Sequence, residues 1–266
     1  MFVENRYDVH MVQKSNFLTE TVANKLQIDS RSMLSDKFLN NSLPQEDLLS
    51  NLGLFVRSGL LSKILVLNDV YQRIKNVPGI LIEFGVWWGQ NLVLLENLRA
   101  IHEPFNKNRK IVGFDTFEGY RNFSSVDKES EVFAETSYST GLGYKAELES
   151  LLRIHESMNV LGNVNGVHEL IAGDVSDTVP NYFKQNSNQI VAFAYFDMGL
   201  YKPTKVALAS LVPHLVPGSV LLFDELTWTE APGEAIAFKE VVKDFGLKYK
   251  IEKVESYPSK TLVTIL

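Results

Sequence analysis

The sequence predicts an α/β fold built on a doubly wound, mostly parallel sheet. Two patterns point there. From residue 80 onward, short apolar runs that read as buried strands alternate with amphipathic helical stretches, the rhythm of strand–crossover–strand units. The last two strand-like runs flank Tyr257-Pro258-Ser259 and so read as a closing antiparallel hairpin. The bulk agrees: 266 residues, 45% hydrophobic and 22% charged, can bury one large core without disulfides or a structural metal.

Residues 1–51 are polar and mixed, with one helix expected over Asn16–Ile28, where Leu18, Val22 and Leu26 fall four apart. Leu54–Lys75 reads as a stronger helix. Its Leu60, Leu61, Ile64, Leu67, Asn68, Tyr71 and Ile74 keep the helical period, and Asn76-Val77-Pro78-Gly79 ends it. Ile80–Phe84 is the first strand, Gln90–Ile101 a helix and Lys110–Asp115 the second strand. Residues 119–142 are acidic and turn-rich and read as a long loop or lid. Tyr144–Leu161 is a helix with Leu148, Leu151, Leu152, His155 and Met158 at helical spacing. Val167–Ala172 and Gln189–Asp197 are strands, Pro203–Leu211 a helix and Gly218–Asp224 a strand. Pro232–Phe245 carries Pro at its start and Gly246 past its end, the usual helix asymmetry. Lys248–Val254 and Thr261–Leu266 form the hairpin. No repeat or linker interrupts the chain, so it reads as a single domain, with residues 1–53 as a helical extension and 54–266 as the core.

The absence of cysteine removes zinc-thiolate, iron–sulfur and Cys-nucleophile chemistry. A net charge of −6 without a long basic run argues against nucleic acid as a partner. The first residues lack a charged-then-apolar signal pattern, and no window approaches a membrane span. The expectation is a soluble cytoplasmic protein acting on a small molecule.

In doubly wound sheets the ligand lies beyond the carboxyl ends of the strands. Every parallel strand here brings an acid to, or just before, that edge: Glu83, Asp115, Asp174, Asp197 and the pair Asp224-Glu225. Buried acids are costly, so this recurrence asks for a function. Glu83-x-Gly85-x-x-x-Gly89 is a strand-to-helix turn in which Gly85 permits close approach or a left-handed backbone. It departs from the dinucleotide fingerprint, because Trp87 and Gln90 stand where further glycines would be; the two tryptophans suggest a nucleoside-sized apolar wall, with core packing as the alternative for either. Asp115 can accept ribose hydroxyls and Asp174 an exocyclic amine, each alternatively being a turn or cap residue. Asp197, Asp224 and Glu225 would repel one another unless a cation joins them, and all-oxygen ligands suit Mg²⁺, Mn²⁺ or Ca²⁺; alternatively Asp224 or Glu225 caps the next helix and only one acid is functional.

This ordered set resembles the class I S-adenosylmethionine-dependent methyltransferases, and within them the macrocin O-methyltransferase (TylF-like) family of sugar O-methyltransferases. The carriers are Glu83-Phe84-Gly85-Val86-Trp87-Trp88-Gly89, Phe114-Asp115-Thr116-Phe117-Glu118-Gly119 and Gly173 to Pro180. They continue with Asp197-Met198-Gly199-Leu200-Tyr201-Lys202-Pro203-Thr204, Val216-Pro217-Gly218 and Asp224-Glu225. The resemblance spans roughly residues 54–245 and implies a Rossmann-like seven-stranded sheet whose last strand is antiparallel. It implies S-adenosylmethionine bound by Glu83, Phe84, Gly85, Gly89, Asp115, Thr116, Asp174 and Val175, with Glu83 and Gly85 by the methionine end, Asp115 on the ribose and Asp174 near the adenine. It also implies a divalent cation on Asp197, Asp224 and Glu225, Asp197 as general base, a sugar or nucleotide-sugar acceptor in surface polysaccharide or antibiotic biosynthesis, and a homo-oligomer. Two departures stand out. The second acid usual two residues after Asp197 is Gly199, and the usual paired aspartates are Asp224-Glu225.

Three rival readings remain at this level. A phenolic or catechol-like acceptor would use the same acids and cation. A nicotinamide-dependent oxidoreductase would use Asp115, and Tyr71-x-x-x-Lys75 superficially matches a dehydrogenase pair, although it precedes the first strand. A binding module on a degenerate fold conflicts with five intact strand-end acids.

Overall fold

The computed structural model describes residues 24–127, 134–141, 143–159, 168–257 and 259–266. The chain divides into two compact units, Met1–Val56 and Arg57–Leu266. The first contains α1 (Lys25–Leu39), α2 (Gln45–Leu48) and a 3₁₀ stretch, Leu49–Phe55. The expected helix Asn16–Ile28 falls largely outside the described residues. Within them the helix starts later, because Asn24 and Gln27 form a reciprocal capping box that fixes the start at Lys25. Leu26, expected on the apolar face, is exposed.

The second unit begins with α3 (Ser58–Ile74), then β1 (Ile80–Phe84), α4 (Gln90–His102), β2 (Ile111–Asp115), α5 (Tyr144–Met158), β3 (His168–Ala172) and α6 (Val175–Gln185). It closes with β4 (Val191–Phe196), α7 (Tyr201–Leu211), β5 (Leu215–Phe223), α8 (Pro232–Phe245), β6 (Tyr249–Lys253) and β7 (Thr261–Ile265). The seven strands run in the order β3-β2-β1-β4-β5-β7-β6. β1 to β5 are parallel, and β7 is antiparallel to both neighbours. The antiparallel strand is therefore inserted beside β5, and the edge belongs to β6. Burial explains the order: β7 (TLVTI) is apolar on both faces, whereas β6 (YKIEK) carries charges suited to an edge.

Strand alternation builds two cores. Leu81, Phe193, Tyr195 and Leu222 face α3, α4 and α5, while Ile82, Phe84, Phe114, Phe196 and Phe223 face α6, α7 and α8. On the second face the rings of Phe84, Phe196 and Phe223 stack at 4.9 and 4.6 Å.

α6 is the helix missing from the sequence reading. Pro180 inside it removes a donor and reads as a breaker. The segment is helical because Asp174 caps it, accepting from the Ser176 amide at 2.7 Å, and because Val175, Val179, Tyr182 and Phe183 bury one stripe. α3 begins at Ser58, four residues after its expected start, because Leu49–Phe55 takes the 3₁₀ form. No helix among the described residues is long and apolar enough to cross a membrane.

Candidate active site

A cleft of about 410 Å³ lies beyond the carboxyl ends of β1 to β5, within the range of roughly 300–1,000 Å³ usual for small-molecule sites. Its wall includes Gly85, Asp115, Thr116, Asp174, Val175, Asp197, Asp224 and Glu225. The expected residues that lie behind the wall are Glu83, Phe84 and Gly89. Phe84 points into the α6–α8 core, and Gly89 caps α4 with φ +77, against Leu148. Glu83 is fully buried, with Oε1 accepting from Asn91 at 2.6 Å and Oε2 lacking a hydrogen-bond partner among the described residues.

The turn after β1 is shaped by its neighbours. Gly85 has φ +89, and a Cβ there would lie 2.0 Å from the Asp197 carbonyl oxygen, so the turn is pressed against the end of β4. Asp115 Oδ2 accepts from the Val86 and Trp87 amides at 2.7 and 2.8 Å, and its Oδ1 accepts from the Phe117 amide at 2.5 Å. The aspartate thus ties the turns after β1 and β2 together and keeps one lone-pair direction on Oδ1 for a ligand. Thr116 Oγ1 donates to the Gly119 carbonyl. Asp174 accepts from Ser176 and from Asn122 at 2.8 Å. Desolvation would raise its pKa, but these hydrogen bonds outweigh it and hold the carboxyl below its ordinary value.

Backbone strain gathers here. The non-glycine residues with left-handed φ are Trp87, Phe117, Asn122, Thr136 and Tyr138 among the described residues, all on the segments around the cleft. Such conformations cost roughly 1–3 kcal/mol each and concentrate at functional sites. They place an aromatic wall: Trp87 meets Trp88 at 5.8 Å and Tyr138 at 5.5 Å, and Tyr138 meets Tyr120 at 5.3 Å. The expected loop 119–142 contains no helix or strand among its described residues. It is pinned at Asp127, which accepts from the Tyr201 amide at the start of α7 at 2.8 Å.

At the ends of β4 and β5, Asp197, Asp224 and Glu225 offer carboxylate oxygens all within 4.8 Å of one another. Desolvation, then Asp224, push Asp197 up to about 7. Glu225 is raised well above its usual range by burial and by Glu234, whose own carboxyl burial lifts to about 8. Glu234 Oε2 accepts from the Glu225 amide at 3.0 Å, while Glu225 Oε2 and Glu234 Oε1 lack hydrogen-bond partners among the described residues. One cation reaches the cluster directly: buried Lys260 donates to Asp224 Oδ1 and to the Tyr195 hydroxyl. Three carboxylates at this mutual spacing, with unpartnered oxygens on Glu225 and on the neighbouring Glu234, fit a divalent cation.

A sequence model described as Macrocin-O-methyltransferase (TylF) matches residues 63–257. The chain belongs to this family. It is thus an enzyme, an O-methyltransferase. The chain is 33% identical to the calicheamicin methyltransferase CalS11, over 92% of this chain and 94% of that one, with a TM-score of 0.86. A structure titled apo CalS11, TDP-rhamnose 3'-O-methyltransferase, gives 32%, 92% and 96%, and 0.79. The O-methyltransferase NovP shares the fold at a TM-score of 0.58, with 17% identity over 77% of this chain and 79% of that one. A comparison with curated proteins found no match.

In this macrocin-O-methyltransferase family member, several site residues escaped sequence reasoning. Glu234 and Lys260 lie on α8 and before β7, away from any strand-end motif. Lys63, Tyr120, Tyr138 and Trp228 also stand in or beside the wall. A helical Glu two residues after Pro232 looks like a first-turn acid, and Lys260 like a hairpin charge; no local signal distinguishes them. The dehydrogenase-like Tyr71 and Lys75 sit toward the other end of α3. Tyr71 is buried on Glu103 at 2.7 Å, and Lys75 bonds Gln72.

Proposed function

We propose that this O-methyltransferase transfers the methyl group of S-adenosylmethionine to a hydroxyl of a sugar, presented as a nucleotide-sugar, with a divalent cation held by Asp197, Asp224 and Glu225. The observation that carries it is the three-carboxylate cluster in a cleft of this family. The likeness to CalS11, named for TDP-rhamnose, supports the acceptor class. The same reading puts the enzyme in the cytoplasm, in antibiotic or surface polysaccharide biosynthesis.

When bound, the cofactor supplies an activated methyl on a sulfonium, and the cation supplies positive charge beside the acceptor oxygen. The chain does the rest. Asp115 and Asp174 orient the adenosine. The Trp87–Tyr138–Tyr120 wall excludes water. Asp197 takes the proton from the acceptor hydroxyl, as a half-buried carboxylate that lines the cleft at the end of β4 beside the cation site. Gly199 leaves no second acid two residues on, so Asp197 carries that role alone on its turn. Alignment supplies most of the remaining acceleration.

Thermal-shift series with S-adenosylhomocysteine, Mn²⁺ and EDTA test the binding half. A ligand at about 100 times its Kd stabilises by roughly 2.7 kcal/mol. Mass spectrometry of reactions with a panel of nucleotide-sugars and catechols tests the acceptor. Methylated catechol with untouched nucleotide-sugars would overturn the acceptor class.

A further inference from the structure

Lys63 lies on α3, in the wall of the cleft. It sits at the start of the helix's inward stripe: Lys63, Leu67, Val70 and Ile74 follow the helical period, and the last three are buried. α3 leads into β1 and packs on α4 and β5. Its C-terminal end lies where β1 begins, so its N-terminal turns lie at the carboxyl edge of the sheet, where ligands bind. The stripe thus delivers a half-buried ammonium to the cleft. No hydrogen bond or ion pair holds it among the described residues. It stands near enough to Glu83 and Asp197 to favour their ionised forms. An apolar residue would suit the stripe, and a purely structural lysine would find a carboxylate. An unpaired ammonium in a binding cleft asks for an anion from the ligand.

Which anion follows from the sheet order. Asp174 and Asp115 end β3 and β2, and β1 then β4 come next. Neighbouring strands lie about 4.8 Å apart. With adenosine over β3 and β2, the amino-acid tail of the cofactor extends across β1 toward β4. That tail ends in a carboxylate. The cleft floor there is acidic and would repel it; Lys63 is the cation on the side where α3 and α4 meet.

We infer that Lys63 anchors the amino-acid carboxylate of S-adenosylmethionine. The inference rests on the cofactor orientation given above. In it Lys63 contributes twice. It fixes the tail that fixes the sulfonium, and it screens the carboxylate from Asp197 and Glu83.

Isothermal titration of two ligands tests it: S-adenosylhomocysteine, and its decarboxylated analogue, which keeps the amine and loses the carboxylate. Lys63→Met keeps the side chain's length and removes the charge; Lys63→Arg restores it. The expected result is that Lys63→Met weakens S-adenosylhomocysteine at least about tenfold, changes the decarboxylated analogue less than twofold, and is largely rescued by Lys63→Arg. Wild-type protein should also prefer the carboxylate-bearing ligand, and Lys63→Met should lose that preference. Equal losses for both ligands, or no loss for either, would overturn it. So would an unchanged S-adenosylhomocysteine affinity with weakened binding of a nucleoside diphosphate, which would hand Lys63 to the acceptor's phosphates. Wild-type protein that binds neither adenosyl ligand would instead overturn the cofactor reading itself.

Discussion

The two ends of the parallel sheet hold buried charge in opposite ways. At the amino end, Arg109 is 2% exposed and fully used. It bonds Glu103 through Nε and Nη2, and the carbonyls of Val77 and Gly79 through Nη1 at 2.8 and 2.7 Å. Tyr71 closes the cluster on Glu103. One cation meets one anion, and every polar group has a partner. At the carboxyl end, Asp197, Asp224, Glu225 and Glu234 gather around one bonded ammonium, Lys260, and keep orphaned oxygens. Both clusters bear the desolvation cost of buried ions. The first recovers it by joining α3, β1 and β2. The second leaves part of it unrecovered, and that deficit is what a cation and a substrate can relieve. Compensation, not burial, separates the structural cluster from the functional one.

Breaking the compensated end should produce the largest loss of stability. Arg109→Met leaves Glu103 buried without its cation, and a broken buried pair typically costs about 3–5 kcal/mol. Chemical denaturation should report that loss, with affinity for S-adenosylhomocysteine nearly unchanged in the fraction that remains folded. A loss below about 1 kcal/mol would mean the clamp is not what joins these elements.

The uncompensated end should respond the other way round. Asp197→Asn removes a repelled charge, so stability should hold or rise slightly, while turnover falls by roughly 10²–10⁴, the range usual for a lost general base. S-adenosylhomocysteine affinity should change little. Full activity would remove Asp197 from proton transfer.

The smallest expected effect is the pH response, which sharpens the contrast without mutation. Burial raises Glu83 and Glu234 to about 8 and Asp197 to about 7. A raised acid keeps its proton in the folded chain at pH values where the unfolded chain has lost it. Stability of the ligand-free protein should therefore fall as pH rises from about 4.5 to 8. Glu103 works in the opposite sense. Burial would raise it, but Arg109 and Tyr71 hold it below its ordinary value, so its contribution is present at neutrality and lost only in acid. Calorimetry should find a Tm lower at pH 8 than at pH 6 by at least about 2–4 °C, the shift expected from 1 kcal/mol in a chain of this size. Mn²⁺ should narrow the gap by favouring ionised carboxylates. A Tm that rises between pH 6 and 8 would contradict the assignment of the acids as undercompensated.

Much of this was written locally. The apolar run Ile80–Phe84 and the β-branched Thr261–Leu266, Pro232 and Gly246 around α8, and the acids that end β2, β4 and β5 are all short-range patterns. Backbone geometry and side-chain period depend on neighbours in the chain, so the α/β class, most elements and the Asp197–Asp224–Glu225 triplet could be read without coordinates. α6 could also have been read, from Asp174 and the 175/179/182/183 spacing, although a proline inside the segment, Pro180, runs against it.

Other features depend on distance in space. Lys260 reaches Asp224 across 36 residues, and Arg109 reaches Val77 across 32. Whether a buried charge is compensated depends on groups that packing brings within a few ångströms, and Coulomb attraction takes no account of sequence separation. The tertiary structure therefore decided that Asp115 holds two turns together as well as lining the cleft. It decided that Glu83 lies behind the wall, and that β7 is inserted beside β5. It also decided that Lys63 enters the cleft with no hydrogen bond or ion pair among the described residues. The succession of elements along the chain and the acids at their ends belong to the sequence; the balance of charge around those ends belongs to the fold.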